Sequence, residues 1–264
     1  MLKLGINQNI SNVDYHNDRE YLSSSALKLA LKDSEKYYSR YILNEKEVVG
    51  NQSALDFGTA AHLKILEPHL FHQEIAIFNG PIKRGKIFDE FKLTHPDKLI
   101  LSKSQNQLLT GLYEAYSNNG DAYELLRDCE FEYTMCGLIN DTKIKVRADA
   151  INLNLGYIAD VKTTGYSGDI ETFTQTISDF GYDLSAALYC SVAESIYKTP
   201  FDFYYIVLSK IDSTCHVYKT SKKSMAIGKS QVDAAIEKIK RFKLTNNYSN
   251  AIIETEQQFA VLEI

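Results

Sequence analysis

No stretch of this 264-residue chain approaches the roughly 18–20 apolar residues that a membrane span needs, and the opening MLKLGINQNISNVDYHNDRE has no long apolar region. The expectation is a cytosolic protein. Cysteine is scarce: Cys129, Cys136, Cys190 and Cys215 stand far apart, with no CxxC and no Cys/His pair at zinc spacing. Neither a disulfide framework nor a structural zinc site is indicated, and reduced, partly buried thiols are expected. Four prolines and no Gly/Ser-rich run leave nothing to mark a linker, and there is no internal repeat or low-complexity tract, so a single domain is expected. Positive charge is not in excess either. A net charge of -5 excludes a protein that coats nucleic acid by bulk charge, though not one with a local basic channel. The composition, 44% hydrophobic and 24% charged, is that of an ordinary globular protein with a substantial core.

The stretch that carries chemistry is Lys145 to Lys162. Two runs, Lys143 to Asn152 and Tyr157 to Thr163, alternate in character and flank Leu153-Asn154-Leu155-Gly156, a plausible hairpin connection. Strand periodicity places Lys145, Arg147 and Asp149 on one face, opposite Ile144, Val146 and Ala148; in the second run Asp160 and Lys162 share a face. Pairing 152 with 157 brings 149 opposite 160 and 147 opposite 162. Directly paired Cβ atoms lie roughly 4.5–5.5 Å apart, where like charges repel. Two aspartates together beside a lysine call for a compensating charge, and a hard divalent cation supplies it. An exposed hairpin with solvated charges remains the alternative on spacing alone.

Before the hairpin, Ser23-Ser24-Ser25 can cap a helix through ALKLALKDSEKYYSRYI, and SALDFGTAAHLKILEPHLF has helical spacing up to Pro68. His62 on that second helix is open to two readings, a satisfied core residue or a ligand; the small Gly58, Thr59, Ala60 and Ala61 beside it would let the helix approach another backbone. From Ile82 to Lys103 the chain is basic and broken, and Lys83, Arg84 and Lys86 with nearby aromatics suit either phosphate contact or a solvated loop. Helices are expected over Ser104–Tyr116 and Asp121–Leu126, and a strand over Glu130–Ile139, whose Glu132 either faces solvent or reaches the same cation as Asp149. Further helices follow over Ile170–Ser178 and from Asp183, with Ser185 and Tyr189 on one face. Strands over Phe201–Leu208 and Thr214–Thr220 and a last helix over Val232–Phe242 complete the chain. The order predicts an α/β protein with a mixed central sheet flanked by helices and the hairpin in its middle.

Taken together, Tyr21-Leu22-Ser23-Ser24-Ser25-Ala26-Leu27-Lys28, Phe57-Gly58-Thr59-Ala60-Ala61-His62 with Leu66-Glu67-Pro68, Lys83-Arg84-Gly85-Lys86, Arg147-Ala148-Asp149 and Asp160-Val161-Lys162-Thr163-Thr164 resemble the PD-(D/E)XK nucleases. The order H-x3-L-E-P then D-x10-D-x-K is most similar to the exodeoxyribonuclease VIII (RecE-like) branch of phages and prophages, over roughly residues 20 to 210. The resemblance implies the restriction-endonuclease-like core as one domain over 1–264, with residues 1–20 as an N-terminal extension. It implies His62, Asp149 and Asp160 as metal ligands, joined by the Val161 carbonyl, with Lys162 orienting the attacking water. Mg²⁺ is the implied cofactor, with Mn²⁺ able to substitute. Lys83, Arg84, Lys86, Thr163, Thr164 and Tyr189 are the implied DNA contacts. Relatives in this branch degrade linear duplex DNA from the 5′ end and leave a 3′ strand for an annealing partner, acting as homo-oligomeric rings; the implied location is the bacterial host cytoplasm.

Two positions depart from the pattern. Relatives carry Gln-x3-Tyr where this chain has Ser185 and Tyr189, and Leu208-Ser209-Lys210 lacks an acidic residue common there. Ser185 raises a second reading, a catalytically silent DNA-binding or assembly protein, against which the complete His62, Asp149, Asp160 and Lys162 set argues. An iron–sulfur RecB-like nuclease needs an early cysteine, and none precedes residue 129.

Overall fold

Side-chain caps divide the first half of the chain into short helices. In the computed structural model, which describes residues 1–45 and 51–250, β1 (Gly5–Asn7) and α1 (Asn12–Asn17) precede α2 (Ser24–Lys32), which Ser23 caps. The periodicity predicts one helix through Ile42, but the Asp33 carboxylate accepts the Lys36 N–H and starts a new helix, α3 (Ser34–Tyr37), followed by a π-turn at Tyr38–Ile42. Pro68 does not simply end α4 (Gln52–Leu66); it occupies the first turn of α5 (Pro68–Glu74), where its missing N–H is no loss. The basic stretch is more ordered than its composition suggests. It holds α6 (Lys86–Leu93) between β2 (Ile75–Phe78) and β3 (Leu99–Ser102), which pair in parallel as a separate two-stranded sheet.

A capping box of Ser102 and Gln105 opens α7 (Lys103–Ser117), and α8 (Gly120–Leu126) leads into the main sheet. Its strands are β4 (Glu130–Ile139), β5 (Thr142–Asn152) and β6 (Tyr157–Thr164); then α9 (Ile170–Phe180) and α10 (Tyr182–Tyr197) cross over to β7 (Asp202–Ser209), β8 (Thr214–Lys219) and α11 (Lys222–Thr245). The sheet order is β1-β4-β5-β6-β7-β8, and β6–β7 is its parallel pairing. The hairpin of β5 and β6 therefore lies in the middle, as the sequence predicts.

Helices cover both faces. On one, α2, α10 and α11 bury Leu27, Leu188 and Ile236 against Val146, Ile158 and Val207. On the other, α4 and α7 bury Ala60, Ala61 and Leu112 against Ala159, Val161 and Ile206. Residues 1–20 are more than an appendage. β1 extends the sheet along β4, and the buried Lys145 ammonium donates to the backbone carbonyls of Tyr15 and Asp18. Arg147 is held by Thr134, Asn12 and the Ile10 carbonyl, and its guanidinium lies 4.4 Å from the centre of the Tyr15 ring. Two cations on a sheet face are thus capped by the segment that precedes them. Among the described residues, no helix is long and apolar enough to cross a membrane.

Candidate functional site

The two central strands separate soon after their turn. Asn152 pairs with Tyr157, Ile151 with Ile158 and Ala150 with Ala159, the register expected from the sequence, and the ladder then stops. β5 continues beside β4 and β6 continues beside β7, so a fork opens where Asp149 and Asp160 would have paired. In the fork, Val161 has no strand partner on the β5 side. Its N–H donates instead to Asp149 Oδ2 at 2.8 Å, and its carbonyl accepts from His62 Nε2 at 2.8 Å.

That bond fixes the imidazole. With Nε2–H donating to a carbonyl, the lone pair of the neutral ring sits on Nδ1, which faces Asp149 Oδ2 at 3.6 Å. A backbone acceptor on the second ring nitrogen is the usual orientation device for a metal-binding histidine. α4 delivers His62 closely because its packing residues are small: Ala60 and Ala61 are fully buried, and a Cβ on Gly58 would lie 3.9 Å from Thr163 Oγ1. The side chains of His62 and Asp149 retain 29% and 13% exposure, enough for a ligand to reach them.

The third member comes from β4. Glu132 stands opposite Asp149 in the β4–β5 register, between the Phe131–Ala150 and Tyr133–Ala148 pairs, with a left-handed φ of 48°. Such a φ is uncommon for a residue with a side chain and marks local strain. Ligand atoms of His62, Glu132 and Asp149 lie within 4.8 Å of one another. The sequence left Glu132 open between solvent and cation; the structure turns it toward Asp149.

Asp160 and Lys162 lie on the other side of the strand from Val161, where they meet α2 and α10. They form an ion pair through the buried Asp160 Oδ2, which has no further polar partner among the described residues. Lys162 Nζ also lies 5.2 Å from the centre of the Tyr182 ring. Asp160 is therefore not among the three groups that already converge. The Val161 carbonyl accepts from His62 and keeps a second lone pair.

The electrostatics favour a bound cation. Burial, then repulsion from Asp149, pushes the Glu132 carboxyl up to about 7, against the pull of His62 and Arg147. Burial also raises Asp160, with Lys162 opposing and Asp149 reinforcing the shift. Burial works against the charge of Lys162, but Asp160 and Asp149 outweigh it and raise its pKa. Two converging carboxylates that repel each other and one imidazole make a donor set that fits a hard divalent cation.

The expected DNA contacts are scattered. Thr163 is half-buried beside Gly58, whereas Thr164 is buried and its hydroxyl accepts the Tyr166 N–H, which holds the turn after β6. Tyr189 is mostly buried; its hydroxyl meets Ser24 on α2, and burial raises its pKa, with the carboxylates of Asp160 and Asp149 reinforcing the shift. Lys83 donates to the Ile100 carbonyl at 2.5 Å, Lys86 pairs with Glu90 at 3.8 Å, and Arg84 is exposed. Lys28, at the end of the Tyr21–Lys28 motif but without a role expected for it, reaches the Tyr182 ring from α2 at 5.6 Å. The signal that could have found it is its spacing of four from Ser24, within the same conspicuous motif.

The profile of a family described as a PDDEXK-like domain of unknown function (DUF3799) matches residues 23–251. The chain belongs to this family. The match begins just after the N-terminal segment that caps Lys145 and Arg147. Among solved structures, a provisionally named exonuclease from Eubacterium rectale is 15% identical, with 90% of this chain and 88% of that one covered and a TM-score of 0.68. That likeness shows a common fold. The structure of SSO0001, 15% identical over 68% of this chain and 85% of that one, has a TM-score of 0.31. No curated protein sequence matches.

Proposed function

We propose that this PDDEXK-like protein hydrolyses phosphodiester bonds in DNA with a divalent metal. The observation that carries the reading is the fork, which gathers His62, Glu132 and Asp149 on one side of Val161 and the Asp160–Lys162 pair on the other. His62, Asp149 and Asp160 would hold the ion, with the Val161 carbonyl, and Glu132 joins them. Mg²⁺, with Mn²⁺ as a substitute, supplies polarisation of a phosphate oxygen and acidification of a water when bound. The residues do the rest. Lys162 keeps a positive charge where negative charge grows on the phosphate, and orients the attacking water. The Val161 backbone fixes both Asp149 and His62, so the ligands are set before substrate arrives.

Finer features rest on the resemblance to the RecE-like branch: action on ends of linear duplex, 5′ to 3′ polarity, a 3′ strand left for an annealing partner, and a ring around the duplex. A ring reconciles a net charge of -5 with DNA binding, because only its channel needs to be basic. The domain is proposed to act as one unit over the whole chain, in the bacterial cytoplasm.

The test uses linear duplex labelled at its 5′ or its 3′ end, beside a covalently closed circle, with Mg²⁺ and with chelator. Mg²⁺-dependent loss of linear DNA alone, with the 5′ label released first, is the expected result. Cleavage of the circle would replace the exonuclease reading by an endonuclease. Binding without hydrolysis would leave the silent-scaffold reading that Ser185 suggests.

A further inference from the structure

α2 brings a second lysine to the Asp160–Lys162 pair. Ser24 and Lys28 lie one turn apart, and both face α10: the Ser24 hydroxyl meets Tyr189, and Lys28 Nζ lies 5.6 Å from the centre of the Tyr182 ring. Lys162 Nζ lies 5.2 Å from the centre of the same ring. The Lys28 stem runs past Gly181, where a Cβ would stand 3.0 Å from Lys28 Cδ.

The two lysines differ in what balances them. Lys162 has Asp160, whereas Lys28 has neither an ion pair nor a hydrogen bond among the described residues, only the face of an aromatic ring. Asp183 is the nearest further acid in charge terms, but its oxygens are taken by the Leu184 N–H and by Gln231. Burial and the charge of Lys162 lower the Lys28 pKa to about 8, with Asp160 and Asp183 opposing. A half-buried cation repelled by a second one needs an anion.

We propose that Lys28 is a substrate contact, donating to a non-bridging phosphate oxygen of the DNA strand on which the fork acts. This rests on the nuclease reading above. A phosphate held by Lys162 would lie in the field of both ammonium groups, which share the Tyr182 ring, and supply the negative charge that Lys28 lacks. Ser185 shares the helix face of Tyr182 and Tyr189 and offers no long donor, so the reach falls to α2.

The test measures binding of a fluorescein-labelled linear duplex in chelator between about 50 and 200 mM salt, for the wild type, Lys28→Met and Lys28→Arg. Loss of one phosphate contact flattens the plot of log affinity against log salt by about 0.9, which a purely structural role would not do. Lys28→Met should show that change, and Lys28→Arg should keep the wild-type slope. Should Lys28→Met fail to fold, Lys28→Gln serves in its place. A wild-type slope in the neutral variant overturns the proposal, and hydrolysis by the wild type then leaves the nuclease reading standing. A Lys28-dependent slope in a protein that hydrolyses nothing would instead keep the phosphate contact and remove the nuclease.

Discussion

Replacing Glu132 by glutamine should make the metal-free protein more stable while weakening its hold on metal. The magnitude follows from the fork. Glu132 titrates near 4.5 when free and at about 7 in the folded protein. An acid with a raised folded pKa destabilises the fold above that pKa, and the penalty vanishes below the unfolded one. Metal-free stability should therefore fall as pH rises from about 4.5 to about 7. About 2.5 units at about 1.4 kcal/mol each gives a penalty of order 3 kcal/mol at pH 8. Glu132→Gln removes that charge and retains the backbone strain at φ 48°. Urea unfolding in chelator should show the variant more stable by up to about 3 kcal/mol at pH 8 and equal to wild type at pH 4. Excess Mn²⁺ should reverse the order at pH 8, because binding stabilises the folded state in proportion to RT ln(1 + [L]/Kd). A wild type with flat stability between pH 4 and 8, or a variant less stable than wild type in chelator at pH 8, would refute the reasoning.

Lys162→Met should lower kcat by about 10²–10³ with little change in duplex affinity, as expected for a cation that acts on the developing charge; steady-state hydrolysis at saturating Mg²⁺ checks it, and wild-type turnover would contradict it. His62→Ala should weaken metal use by at least about tenfold and recover activity at high Mn²⁺, so full activity at low Mg²⁺ would remove His62 from the ligand set. Gly228→Ala tests the layer behind the site: its Cβ would fall 2.1 Å from the Asp183 carbonyl oxygen, on the turn that carries Tyr182. Overpacking at a backbone contact should cost about 1–3 kcal/mol, read as a lower thermal midpoint, and an unchanged midpoint would show that α10 and α11 can separate freely.

Local signals made the hairpin legible. Alternation in Lys143–Asn152 and Tyr157–Thr163 and one short turn give the register of Asn152 with Tyr157, and everything up to Ala150–Ala159 follows from it. The fork is different, because it depends on where each strand finds its other neighbour. β4 holds β5 through the tight turn at Asn140-Asp141, whereas β7 holds β6 by joining residues far apart in the chain, so the two strands are drawn to different neighbours. Glu132 stayed ambiguous for a related reason: strand periodicity assumes an extended backbone, and its positive φ breaks that assumption. β2 and β3 have four residues each and sit beside a basic loop, so no period could develop. β1 has three, and its evidence is indirect. The charge of Lys145 and Arg147 in an inner strand required polar partners, and the first 20 residues supply them.

The fork explains why a central hairpin, ordinarily the most rigid part of a sheet, can carry a reactive site. β6 pairs with β7 in parallel along its whole length, which holds it firmly on that side. On the other side Val161 faces a gap, and an unsatisfied buried N–H or C=O costs about 1–3 kcal/mol. Asp149 and His62 remove that cost by bonding to the two groups of Val161. The folding requirement therefore fixes the same two side chains that the proposed chemistry needs. The two carboxylates at the mouth of such a gap repel each other until a cation arrives, while the neighbouring strands keep them from moving apart. The sheet stores that repulsion in the metal-free protein, and release of it on metal binding is what the stability reversal of Glu132→Gln would measure.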